Sequence, residues 1–103
     1  MVKTAYKDDI DVLMIEEGDY DDFDRSLELG GFVLDLDSND RFLGLEIIDA
    51  TQKLALTADE LSSIDDATIS LDRHDDVLRV RVELIINGQR STITSQYPQP
   101  ATA

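Results

Sequence analysis

Two adjacent residues, Asn87 and Gly88, constrain this chain more than any others. A two-residue type I′ turn needs positive φ at both central positions, which Asn and Gly adopt at little cost, and it fixes the register of the flanking strands. Before the turn, Leu78, Val80, Val82, Leu84 and Ile86 alternate with Arg79, Arg81 and Glu83, the period of a strand with one buried face. Ile85 is the exception, an apolar residue on the polar side. The register that follows sets Ile86 against Gln89, Val82 against Ile93 and Leu78 against Tyr97.

A second hairpin lies between Gly31 and Ala50. Phe32, Leu34 and Leu36 alternate on one face of the incoming strand, and Leu43, Leu45 and Ile47 on one face of the outgoing strand, around the turn residues Ser38-Asn39-Asp40. Ahead of it, residues 6–15 form a turn and a short inner strand with apolar residues on both faces. An acidic loop follows, then a strand from Arg25 to Leu29 that Gly30-Gly31 ends. Thr57-Ala58-Asp59-Glu60 has capping-box spacing and predicts a short helix from Ala58 to about Ile64. Ala67, Ile69 and Leu71 then alternate as a strand before a turn at Arg73–Asp76. The expected fold class is α+β: a mostly antiparallel meander of six or seven strands with one short helix. One domain over residues 1–97 suits the length of 103 residues, with residues 98–103 as a frayed tail.

The pattern Tyr6, Asp8, Asp11, Leu13, Ile15, then Leu34-Asp35-Leu36-Asp37 and Gly44-Leu45-Glu46-Ile47-Ile48-Asp49-Ala50, resembles the small prokaryotic domain of unknown function 2283. The resemblance covers residues 6–55 or so, with the acidic loop of residues 16–24 outside the pattern, and implies a small β-rich cytosolic domain with no assigned activity. The helix and hairpin of residues 56–97 lie outside it and stand as an extension.

Composition narrows the function classes. There are 23 acids against nine bases, a formal charge of -14, while the apolar fraction of 42% is that of a folded chain. Such a carboxylate surface suits molar salt, where the Debye length falls to about 3 Å and self-repulsion is screened. Nucleic acids and anionic membranes are not expected as partners, because phosphate binding needs a basic face. Without cysteine the chain has no disulfide, thiolate metal site or cysteine nucleophile. No stretch has signal-peptide or membrane-span character, so a cytoplasmic location is expected.

The residues best spaced for chemistry are Asp35, Asp37, Asn39 and Glu46, which fall at positions one, three, five and twelve of a calcium loop. Position six is Asp40 instead of Gly, and the flanks have strand periodicity, which spreads the ligands along a ladder. Asp11 and Asp49 are further carboxylates that composition alone leaves without a structural role. His74, the single histidine, falls in a turn beside Asp75-Asp76 and lacks the pocket and orienting partner a general base needs. An echo aligns Leu36–Leu45 with Leu71–Val80 and retains the turn acids, Asp37 with Asp72 and Asp40 with Asp75, as hairpins built on one grammar do.

No cofactor and no catalytic group are expected. The leading expectation is a non-enzymatic self-associating or protein-interaction module; the alternatives are divalent-cation binding and an acidic cap for a basic protein partner. Phe42, Ile48 and Ile85 fall on the faces opposite the main apolar rows, so a homodimer that covers them is expected.

Overall fold

In a computed structural model, residues 2–98 form eight strands and three short helical turns. The strands are β1 (Lys3–Lys7), β2 (Val12–Glu16), β3 (Phe23–Leu29), β4 (Phe32–Asp37), β5 (Phe42–Ile48), β6 (Ile64–His74), β7 (Val77–Ile86) and β8 (Gln89–Pro98). Between β5 and β6 lie α1 (Ala50–Leu54) and α2 (Ala58–Leu61), and a 3-10 turn occupies Tyr20–Asp22. All pairings are antiparallel, in a five-stranded sheet of order β1-β2-β5-β4-β3 and a three-stranded sheet of order β6-β7-β8.

Period-two alternation gives each sheet one apolar face, and those two faces share a single core. Leu13, Ile15, Leu34, Leu36, Leu45 and Ile47 come from the larger sheet, Leu78, Val80, Val82 and Leu84 from the smaller, all with less than 2% or about 2% of their surface exposed. Each such aliphatic side chain contributes about 1.5–3 kcal/mol on burial. Ala50 and Leu54 of α1 and Leu61 of α2 close the same cluster.

The hairpin registers agree with the alternation. Ile86 pairs with Gln89, Val82 with Ile93 and Leu78 with Tyr97, around Asn87 at φ 52° and Gly88 at φ 79°. Phe32 pairs with Ile47 and Leu34 with Leu45 in the other hairpin. The capping box at Thr57 is present: Glu60 N donates to Thr57 Oγ1 at 3.1 Å, and Thr57 N to Glu60 Oε1 at 3.0 Å.

Several expectations need correction. The chain is not one meander, because β2 leaves the order of the sequence to pair with β5, and β6–β8 form a sheet of their own. The predicted helix ends at Leu61, and Ile64 already opens β6. A strand at Lys3–Lys7 and a helix at Ala50–Leu54 lie where neither was expected. A bulge between Asp35 and Leu36 shifts the β4–β5 register, so Phe42 sits opposite Leu36 and packs against the core. Leu43 is the displaced residue; it is buried outside the shared core, beneath the Glu17-Gly18 backbone that donates to its carbonyl. Of the supposed tail, Pro98 pairs with Val77 at the end of β8, and residues 99–103 lie outside the described residues.

Because both sheets contribute to one core, Leu34→Ala and Leu84→Ala should each lower stability by about 2–5 kcal/mol. Far-ultraviolet and near-ultraviolet circular dichroism should melt together in both variants; separate transitions would show two independent units.

Candidate functional site

The most developed polar constellation lies on the outer face of the five-stranded sheet. Alternation opposite the core rows places Met14 and Glu16 of β2, Gly44 and Glu46 of β5, and Val33 and Asp35 of β4 on that face. Asp19 caps the 3-10 turn, accepting from Asp21 N at 2.9 Å, and the turn lays the Tyr20 ring across Gly44. A Cβ at Gly44 would collide with the Tyr20 hydroxyl and Cζ, so the close approach requires glycine there. Tyr20 Oη donates to Asp35 Oδ2 at 2.7 Å and Ser26 Oγ to Asp35 Oδ1 at 2.6 Å. Both carboxylate oxygens are thereby engaged, and Phe23 stacks on Tyr20 with centroids 6.2 Å apart.

Burial pushes the Tyr20 phenol above its ordinary range, and the hydrogen bond to Asp35 and the charges of Asp35, Glu16 and Glu46 push the same way. A phenol so placed stays protonated at neutral pH and donates a hydrogen bond. Its chemical role is to fasten the acidic 16–24 loop to the sheet.

The calcium-loop residues are distributed among separate tasks. Asp35 is bound to Tyr20 and Ser26. Asp37 Oδ1 accepts from the backbone of Asn39 at 2.8 Å and Arg41 at 2.9 Å, an Asx-type turn with Asn39 at its tip. Glu46 pairs with Val33, one step diagonal from the Asp35–Gly44 pair. Among the described residues no three His, Asp or Glu side chains are grouped closely enough to hold a metal ion.

Asp11 acts across the fold. It adopts φ 54°, its Oδ1 accepts from Tyr6 Oη at 2.7 Å and Thr51 N at 3.1 Å, and its Oδ2 accepts from Thr51 Oγ1 at 2.7 Å. Its carbonyl accepts from Ala50 N at 3.0 Å, so one residue of the β1–β2 turn satisfies the first donors of α1. The Thr51 and Tyr6 hydrogen bonds hold its carboxyl below the usual range, and in return the bond to Asp11 pushes Tyr6 up to about 12. Asp49 takes the left-handed N-cap position of α1 at φ 56°, with no side-chain capping bond.

The remaining acids are surface groups. Asp21, Asp22, Asp24 and Asp37 line an acidic cleft of about 380 Å³ together with Phe23, Ser38, Asn39 and Arg41. His74 ends β6 with an 86% exposed side chain, 3.6 Å from Asp75. Asp65 is tied to the Asn87 backbone at 2.9 Å and Asp66 to that of Ala67 at 2.9 Å. Ile48 is 38% exposed on the outer face of the five-stranded sheet, whereas Ile85 is half-buried on the outer face of the smaller one. The two faces point away from each other, so one interface cannot cover both. Tyr20 and Gly44 were missed as a pair by pattern alone; an isolated glycine inside an alternating strand is the signal that marks such an approach.

No protein-family model, curated protein or solved structure matches the chain. The expected resemblance to domain of unknown function 2283 thus receives no support from a family model.

Two measurements probe these contacts. Gly44→Ala should displace Tyr20 and cost about 1–3 kcal/mol, read by thermal melting. Absorbance titration of the tyrosines should show Tyr6 ionising near 12, and in Asp11→Asn it should fall back toward 10. The raised phenol contributes stability that is complete below pH 10 and lost as pH rises through 12, while the lowered Asp11 carboxyl contributes stability lost as pH falls below its ordinary value of 3.8.

Proposed function

We propose that this chain is a non-enzymatic, self-associating interaction module of the cytoplasm, with a surface suited to high salt. The observation that carries this reading is the partition of charge along the fold. Residues 1–76 hold 22 acids and six bases, net -16, whereas from Val77 onward Glu83 stands against Arg79, Arg81 and Arg90, net +2, which together give the -14 of the chain. Glu83 is itself neutralised, 2.9 Å from Arg90 and 3.5 Å from Arg81. Two copies that meet on acid-rich surface repel each other; the β7–β8 hairpin is where approach costs least. The carboxylates best placed for chemistry, Asp11, Asp35 and Asp37, are meanwhile engaged in bonds that hold turns, a loop and a helix end. No helix among the described residues is long and apolar enough to cross a membrane.

Light scattering after size exclusion in about 2 M KCl should give about twice the 11.5 kDa chain mass, with dissociation favoured near 0.1 M, where the Debye length is about 10 Å. A monomer at every salt and protein concentration overturns the reading. The melting temperature should rise between the same two salt concentrations; coincident melting curves would remove the salt adaptation, and sodium sulfate in parallel separates exclusion from screening.

A further inference from the structure

The two sheets have four edge strands, and three of them are guarded against pairing. The first, β1, is five residues long with lysines at both ends. Charged residues and a register shift protect β3, and the same devices protect β6, whose shift lies between Ile64 and Asp66. The fourth, β8, carries such residues only toward its ends, Arg90 and Pro98, and none between them. It runs ten residues in an uninterrupted ladder with β7, and from Ser91 to Pro98 it carries no charge in a chain that is 31% charged.

The two-residue turn fixes which backbone groups this edge offers. The pair that closes such a turn, Ile86 and Gln89, exchanges both hydrogen bonds, and bonded and non-bonded pairs alternate from there. Thr92, Thr94 and Gln96 fall in the non-bonded pairs, so their N–H and C=O groups point away from β7 to the open edge. Pro98 falls on the same phase, where its missing N–H takes no bond from β7.

We infer that β8 pairs antiparallel with β8 of a second copy about a two-fold axis at Thr94, joining two three-stranded sheets into one of six strands. This names the surface for the self-association proposed above and rests on it. Centring on Thr94 lays the uncharged run from Ser91 to Tyr97 against itself, setting Thr94 opposite Thr94 and Thr92 opposite Gln96. Any other edge brings charged side chains of one sign into register with their copies, or offers a shorter ladder. A foreign strand of opposite charge has nothing on Ser91–Tyr97 to recognise, whereas a neutral copy of the same strand matches it residue for residue.

The test uses the full chain in about 2 M KCl. Thr94→Pro removes an outward N–H without touching the ladder to β7 and should weaken dimerisation about a hundredfold or more. Thr94→Cys gives a background-free cross-link, since the chain has no other cysteine. A bonded antiparallel pair holds Cα atoms about 5.5 Å apart, within disulfide range, so oxidation should yield a covalent dimer. Thr68→Cys, exposed on β6, should stay largely monomeric as the collision control. A folded Thr94→Pro variant that dimerises like the parent, or cross-linking no faster at position 94 than at 68, overturns the β8 assignment and leaves self-association standing. Faster cross-linking in Thr92→Cys than in Thr94→Cys overturns the register. A parent chain that is monomeric overturns both.

Discussion

Neither sheet has a second layer of its own, so the apolar face of each depends on the other for cover. Leu34, Leu45 and Ile47 from one side and Val80, Val82 and Leu84 from the other lie in one cluster, with almost no exposed surface. The helical segments are too short to replace either sheet: they contribute Ala50, Leu54 and Leu61 at the margin. Ion pairs add little. Arg25 of β3 and Arg73 of β6 both approach Asp40, linking the rims of the two sheets, yet exposed pairs of this kind are worth about 0–1 kcal/mol each. The fold is an apolar sandwich on which a heavily acidic surface is mounted, and no polar side chain is buried among the described residues.

That surface is built mainly from Asp, which outnumbers Glu 17 to six among the 23 acids, and backbone geometry accounts for part of the preference. Asp11, Asp40, Asp49 and Asp75 all take positive φ, as does Asn87, and a short polar side chain tolerates that region better than Glu does. Asp40 and Asp75 are the pair that the internal echo aligns, so the echo has a conformational basis in the two turns. Asp19 and Asp37 add local bonds to backbone N–H groups. Charge and turn formation are thus supplied by the same residues. Ala55, at φ 54°, is the exception, a left-handed C-cap with no side chain to justify it.

Much of this was legible in the sequence because it is local. Alternation and the Asn87-Gly88 turn specify the β7–β8 register, and capping-box spacing locates the start of α2. What escaped is set by contacts distant in sequence. That the second partner of β2 is β5 and not β3, the next strand in the chain, depends on how the whole sheet assembles, which no short window records. The bulge that carries Phe42 inward also lies outside strict alternation. Helix α1 has no capping side chain of its own; its cap is Asp11, forty residues earlier in the chain. Asp35 and Asp37 fitted an ion-binding spacing because the same acids that could ligate a cation also fasten a loop and close a turn, and only the positions of Tyr20, Ser26 and the Arg41 backbone distinguish the tasks.

Salt acts on such a molecule at two levels that must be kept apart. Within one chain, the repulsion among residues 1–76 opposes compaction, and screening it favours the folded state. Between chains, two bodies of charge -14 repel over a distance set by the Debye length, whereas the contact proposed at the neutral β8 edge involves uncharged backbone groups that salt scarcely screens. In the proposed dimer, added salt therefore removes the long-range barrier and leaves the short-range backbone pairing in place. Charge is distributed unevenly among the edges: acids and lysines guard three of them, and the uncharged run Ser91–Tyr97 on the fourth is the one surface where the proposed pairing meets no charge of its own sign.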